Sequence, residues 1–255
     1  MSGSTTVAPV AADAAQELKA RGLHVLVDSQ GGSAGGIAQL GAGEIDIAMV
    51  SKPIAPADRK QFPKVDFVTT PIGRDAVGIV VRRDVVVGGL DSISKDGLRR
   101  LFEGSVHNWR ELGGPDLPVF VYDKEPGRGT REVLDKFMYE DGTAPPPATT
   151  GNYAIVGGNE EGRSKVLSTP GAVTPLSVAF AEGYDKLAVL AVDGVRPTAS
   201  TVAADRYPLS RSLFLVTNGK PQGAAKTFVD FVLSRAGQQL VSKNGYLTVA
   251  QLAGS

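Results

Sequence analysis

Short β-branched runs alternate with helical runs from one end of this chain to the other, and that alternation limits the fold more than any other feature. It predicts layered α/β structure. Ala8 to Arg21 reads as a helix with Pro9 in its first turn, where a missing N–H costs nothing. His24 to Val27 reads as a strand, followed by the turn Gly31-Gly32-Ser33-Ala34-Gly35-Gly36 and a helix to about Leu40. Further strands are expected over Ile45–Val50 and Val65–Thr70. Two apolar strands, Ala76–Val81 and Leu213–Thr217, lie far apart in the chain. Between them fall expected helices over Lys95–Glu103, Thr130–Tyr139 and near Glu160–Leu167, with strands over Val119–Tyr122 and Ala188–Val192. Gln222–Asn244 reads as two helices broken near Ala236-Gly237, and Pro145-Pro146-Pro147 marks a surface loop.

Charge narrows the function. Lys plus Arg equals Asp plus Glu at 27 each among 255 residues, so no basic field exists to hold a nucleic acid. Anion recognition here would have to be local. There is no Cys and there are only two His, which removes disulfides and thiolate metal sites and leaves no metal or cofactor implied. No apolar run approaches the roughly 18 residues of a membrane span. Met1-Ser2-Gly3 begins no basic-then-apolar leader, so either a cytosolic protein or a mature exported chain is expected.

One device recurs three times: small and hydroxyl residues at the start of an expected helix. These are Gly3-Ser4-Thr5-Thr6, the Gly31–Gly36 turn, and Gly127-Arg128-Gly129-Thr130-Arg131. A helix start leaves backbone N–H groups without partners and carries about half a positive charge. Glycine lets a ligand approach the backbone and Ser or Thr adds a donor, so such ends suit phosphate-like oxyanions. Taken singly, each turn also has the look of an ordinary capped helix start. Lys52, Lys124, Arg128 and Arg131 stand close to these turns and are either anion ligands or solvated surface charges. Arg74 and Asp75 read equally well as a surface pair.

Gly31-Gly32-Ser33-Ala34-Gly35 also matches the G-x-S-x-G elbow of serine hydrolases. That reading needs a His partner for Ser33, and His24 and His107 are poor candidates by position. No P-loop occurs, and Trp109 reads as a core or loop anchor rather than a stacking platform.

The ordered set of motifs resembles a known family. Gly3-Ser4-Thr5-Thr6-Val7-Ala8-Pro9, Gly31-Gly32-Ser33-Ala34-Gly35 and Asp46-Ile47-Ala48-Met49-Val50-Ser51-Lys52-Pro53-Ile54 look like the phosphate-binding proteins of ABC importers, in their shorter branch. Asn108-Trp109, Gly127 to Glu132, Tyr207-Pro208-Leu209-Ser210-Arg211 and Thr217-Asn218-Gly219 continue the match, and Phe228 to Leu233 with Gly245-Tyr246 carry it to the C-terminus.

The resemblance implies a type II periplasmic-binding-protein fold. Residues 1–76 and 212–255 would form one α/β lobe and 77–211 the other, joined by two crossing hinge strands, with the anion in the cleft. Matching motif to motif, it implies that Thr5, Thr6, Ser33, Ser51 and Lys52 bind the anion from one side. Gly129, Thr130 and Arg131 would complete the cage from the other lobe, and Arg128 either adds charge to the site or points outward. Longer relatives carry an Asp at the position of Lys52, so Asp75, or second Asp123, is the expected acceptor of phosphate's proton. The departures are Arg128 where the family has Ser, Lys124 where it often has Arg, and Ala172–Ser177 in place of a Gly-aromatic pattern. The implied function is binding of inorganic phosphate for ABC permease subunits by a non-enzymatic monomer. Its implied place is periplasmic or extracellular, free or membrane-anchored. The alternatives are another oxyanion (sulfate, molybdate or tungstate) or the Ser33 hydrolase.

Overall fold

The computed structural model describes residues 1–253. The elements in chain order begin with β1 (Ser2–Gly3), α1 (Ala8–Lys19), α2 (Gly32–Gly41), β2 (Ala48–Val50), α3 (Pro56–Gln61), β3 (Phe67–Arg82) and α4 (Arg83–Val87). Next come β4 (Ser92–Ile93), α5 (Lys95–Phe102), β5 (Phe120–Lys124), α6 (Gly129–Met138), β6 (Tyr153–Val156), α7 (Asn159–Ser168) and β7 (Ala172–Ser177). The chain closes with β8 (Leu187–Val192), α8 (Ala199–Ala203), β9 (Ser210–Asn218), α9 (Gly223–Leu233), α10 (Arg235–Lys243), β10 (Leu247–Thr248) and α11 (Val249–Ala253). Mixed α/β layers are therefore present throughout. Among the described residues no helix is long and apolar enough to cross a membrane.

The chain divides into two compact units. The first comprises Met1–Asp75, Gly127–Gly129 and the chain from Arg211 onward; the second comprises Ala76–Pro126 and Thr130–Ser210. The backbone passes between them within β3, on either side of Gly127–Gly129, and at the start of β9.

In the first unit β1 runs parallel to β2, with Gly3 opposite Met49, and β2 runs antiparallel to β9, with Met49 opposite Leu215. The opening half of β3 pairs with β10. Helix α1 buries Val10, Ala11, Ala14 and Leu18, a spacing that gives one apolar stripe. Helix α2 presses Ile37 and Leu40 onto Ala48, Val50, Phe67 and Val216.

In the second unit the closing half of β3 lies between β7 and β8, both antiparallel to it. Parallel pairs extend that sheet through β5 to β6 on one side and to β4 on the other. Its core gathers Val80, Tyr122, Val166, Leu176 and Leu187. Ser94 starts α5 by accepting from the Gly97 N–H at 3.0 Å, and Leu98, Leu101 and Phe102 face inward. Trp109 is fully buried and donates Nε1–H to the Gly171 carbonyl at 2.8 Å, so it anchors a loop as expected. Ala172–Ser177, the segment that departs from the family pattern, is β7 and is buried along its whole length.

Four expectations need correction. His24–Val27 is not a strand: β1 offers a ladder of two residues, only Asp28 pairs with it through Ser2, and Leu26 is 89% exposed. The turn before α2 is shorter than predicted, because Ser33 to Gly36 already lie inside the helix. The separate strands Val65–Thr70 and Ala76–Val81 are one continuous β3. The break between the last two long helices falls at Ser234, ahead of Ala236-Gly237. There the Ser234 hydroxyl donates to the Phe231 carbonyl at 2.6 Å and accepts from the Gly237 N–H at 3.3 Å.

Candidate functional site

In the first unit the residues after β1, in the first turn of α2 and after β2 converge on one cluster of hydroxyls. Ser4 Oγ donates to Ser51 Oγ at 2.9 Å, and Ser51 Oγ and Ser33 Oγ share a hydrogen at 3.3 Å. Ser33 Oγ also accepts from the Ser51 backbone N–H at 3.1 Å, and Ser4 Oγ accepts from the Thr6 N–H at 3.2 Å. All four residues are buried, while Thr5 is half-buried at the turn. Lys52, next to Ser51, is buried too.

Gly31 and Gly32 make this convergence possible. Both take left-handed backbone angles (φ 70° and 59°) to turn the chain into α2. A Cβ on Gly32 would stand 2.6 Å from Arg128 Cδ and 3.2 Å from its Nη1, so the Arg128 side chain lies over the bare glycine. Gly129 approaches from the same short segment. A Cβ there would fall 2.4 Å from Ser51 Oγ, 2.8 Å from the Ser51 carbonyl oxygen and 3.1 Å from Ser33 Oγ.

The chain of bonds continues to a buried ion pair. Arg211 Nη2 donates to Thr6 Oγ1 and to Asp75 Oδ2, both at 2.8 Å, and its Nε donates to the same Asp75 oxygen at 2.9 Å. Tyr246 OH holds the Thr6 carbonyl at 2.8 Å. Asp75 is thus no surface charge. Asp75, Arg211, Thr6, Ser4, Ser51 and Ser33 form one continuous polar network inside the unit.

Thr130 and Arg131 belong to the second unit, and both are buried. Arg131 forms an ion pair with Asp123 through Nη1, and its Nε donates to Asp135 Oδ1 at 2.8 Å. Tyr153 OH also donates to Asp123. Asp123 is completely shielded from solvent, so its charge depends on these partners. Lys124 is buried with Nζ on the Gly158 carbonyl at 2.7 Å. Of the four basic side chains beside the turns, Lys52, Lys124 and Arg131 are buried and Arg128 is partly so. None is the solvated charge of the simpler reading.

Burial pushes the Tyr153 phenol up to about 12. At neutral pH it is therefore a donor to Asp123. Relative to an ordinary value near 10, the folded state holds this proton more tightly. The resulting stability is complete below pH 10 and is lost as pH rises toward 12. Alkaline spectrophotometric titration should show late phenolate absorbance that Tyr153→Phe reduces; an unchanged late phase would remove Tyr153 from that assignment.

Two members of the network were not among the expected site residues: Ser4 and Arg211. Ser4 sits within the first expected turn, but nothing local singles it out over Thr5. Arg211 lies in the Tyr207–Arg211 motif, 136 residues from Asp75, and no local pattern joins them. Ser33, the serine of the elbow motif, has hydrogen-bond partners in Ser51, while His24 and His107 are both exposed.

The model of the PBP superfamily domain matches residues 1–236. The phosphate-binding protein PstS of Bacillus subtilis (strain 168) is 29% identical over 263 residues, covering 99% of this chain and 81% of that protein. Its Borreliella burgdorferi namesake is 25% identical over 254 residues, covering 97% and 88%. A Clostridium perfringens protein, assigned as a phosphate ABC transporter substrate-binding protein and solved with bound phosphate, superposes with a TM-score of 0.83 at 26% identity, covering 97% of this chain and 98% of that one. An ABC-type phosphate transport receptor from Vibrio cholerae has the same fold, with a TM-score of 0.77 at 23% identity and the same coverage. These relatives are named as binding proteins, not as enzymes. The chain belongs to the PBP superfamily.

Proposed function

We propose that this protein binds inorganic phosphate at the hydroxyl cluster and delivers it to an ABC import permease, without catalysing a reaction. The observation that carries this is the buried Ser4, Ser33 and Ser51 triad, abutted by the bare backbone of Gly129. Such a site binds an anion through dipoles and hydroxyls rather than net charge, which suits a chain whose formal charge is zero. Relatives named for phosphate binding, and one solved with phosphate bound, support the same ligand.

Thr5, Thr6, Ser33, Ser51, Lys52 and Gly129 are the proposed contacts from the first unit, with Arg128 beside them. Thr130 and Arg131 are proposed to reach the same anion, and β3 and β9 to act as hinges between two lobes. Ligand would then favour the closed form, because only that form touches it from both sides. A protein with this task works as a monomer outside the cytoplasmic membrane, in the periplasm or at the cell surface. Ser33 is assigned no nucleophilic role, since its hydrogen-bond partners are the hydroxyl and N–H of another serine.

Asp75 is the proposed acceptor for the proton that phosphate retains at neutral pH and sulfate lacks. An acceptor facing an anion oxygen with no hydrogen between them costs about 1–3 kcal/mol. Calorimetric titration of anion-stripped protein at neutral pH should give one-to-one binding of phosphate and none of sulfate. Asp75→Asn should narrow that preference by about tenfold or more. Heat from sulfate or molybdate alone would reassign the ligand, and silence toward every oxyanion would overturn the function.

A further inference from the structure

We propose that Arg211 is a positioning residue of this site, one that fixes the Thr6 hydroxyl as a hydrogen-bond donor to the bound anion. The proposal rests on the reading that phosphate binds at the hydroxyl cluster, and adds how the cluster is aimed.

A guanidinium has donors and no acceptor. The 2.8 Å contact from Arg211 Nη2 therefore has one direction: the arginine donates and Thr6 Oγ1 accepts. The threonine's own hydrogen therefore cannot point at the guanidinium and is turned toward other acceptors, which is what an anion oxygen requires. The Thr6 backbone is clamped on both sides, with its carbonyl on Tyr246 OH at 2.8 Å and its N–H on Ser4 Oγ at 3.2 Å. The side chain therefore has little freedom to turn away.

The same directionality passes along the network. Ser4 Oγ accepts from Thr6 N–H and gives its hydrogen to Ser51 Oγ, and Ser51 N–H donates into Ser33 Oγ. Two hydroxyl hydrogens, those of Ser33 and Ser51, remain for one shared contact at 3.3 Å. At least one of the two must therefore point elsewhere as a donor. The Ser4, Ser51 and Ser33 bonds polarise one another, and Arg211 is joined to them through the Thr6 main chain rather than through its hydroxyl.

Asp75 completes the device. Its Oδ2 takes two of the arginine's hydrogen bonds, so the pair is neutral as a unit. Arg211 then acts on the anion by orienting Thr6 rather than by long-range attraction. Nothing local in the sequence connects these residues, yet Arg211, the second residue of β9, opens the last segment of the first unit and meets Asp75, the last residue of its first segment.

The test is a double-mutant cycle read by phosphate calorimetry. Thr6→Val keeps the shape and removes the hydroxyl, and should weaken phosphate by about tenfold or more. In the background of Arg211→Met, or of Asp75→Asn with Arg211→Met if the lone charge prevents folding, the same Thr6→Val step should cost less than about threefold. A merely structural Arg211 would leave the Thr6→Val step as costly as before, which would overturn the proposal. So would a Thr6→Val protein that binds within threefold of wild type, whatever the arginine variants do. Wild-type protein that ignores phosphate would instead sink the functional reading, and this proposal with it. Phosphate binding with additive substitutions would sink this proposal alone.

Discussion

Arg131→Met should lower the stability of the ligand-free protein by about 3–5 kcal/mol, because it strands a buried carboxylate. Asp123 is 0% exposed and is held by Arg131 Nη1, by Tyr153 OH and by its own neighbour's N–H, Lys124 N to Oδ1 at 2.7 Å. Methionine preserves most of the arginine's volume, so packing changes little and the charge is what is lost. For a chain of this size each kcal/mol moves the melting temperature by about 2–4 °C, giving a drop of roughly 6–20 °C.

Two further readings separate this cause from a packing defect. Replacing Asp123 by Asn in the same protein should restore much of the loss, since removing both charges is far cheaper than removing one. The deficit should also shrink in acid. Burial already holds the Asp135 carboxyl above its ordinary range against the opposing pull of Arg131. Without the arginine the folded protein takes up protons on these carboxylates more readily than the unfolded chain. Stability relative to wild type is then regained as pH falls and lost as it rises. A melting temperature within about 2 °C of wild type, or a deficit independent of pH, would show that Asp123 does not depend on Arg131.

The sequence-level pattern was most reliable where one face of an element is buried by its own periodicity. Val10, Ala14 and Leu18 in α1, or Leu98 and Leu101 in α5, state their helix without help from elsewhere. It failed where a partner decides. His24–Val27 has the composition of a strand but finds only a two-residue edge to pair with. Val65–Thr70 and Ala76–Val81 read as two strands, yet β3 runs on through Pro71, which is exposed at a strand position where its missing N–H need not cost a ladder bond.

The site divides the same way. Ser33, Ser51 and Gly129 announce themselves through small residues at turns. Asp75 looked like half of a surface pair with its neighbour Arg74, because its partner Arg211 is 136 residues away. The burial of Lys124 is not marked in the sequence either, since Nζ donates to a main-chain carbonyl, that of Gly158, which no side-chain pattern marks. Ion pairs and hydroxyl relays form by tertiary contact, and spacing in the chain carries no record of them.

Gly129→Ala tests the site where it is narrowest. Helix propensity alone would favour the change by up to about 1 kcal/mol, because alanine suits a helix better than glycine and Gly129 is the first residue of α6. Space opposes it. The added methyl would sit 2.4 Å from Ser51 Oγ, which can rotate, and also 2.8 Å from the Ser51 carbonyl oxygen, which belongs to the backbone and cannot swing aside. Either the serine pair or the glycine segment must therefore shift by several tenths of an ångström. Ser51 stands between Ser4 and Ser33, so displacing it disturbs two hydroxyl contacts together. At about 1–1.5 kcal/mol for each, phosphate affinity should fall by roughly 30–150-fold. Stability without ligand should also fall, by about 1–2 kcal/mol once the helix-propensity gain is set against the same two contacts. The phosphate-induced rise in melting temperature should shrink in step with the affinity. Affinity within threefold of wild type would mean that the anion does not use the Ser33–Ser51 pair, because no bound ligand could depend on those hydroxyls and ignore a methyl group driven between them.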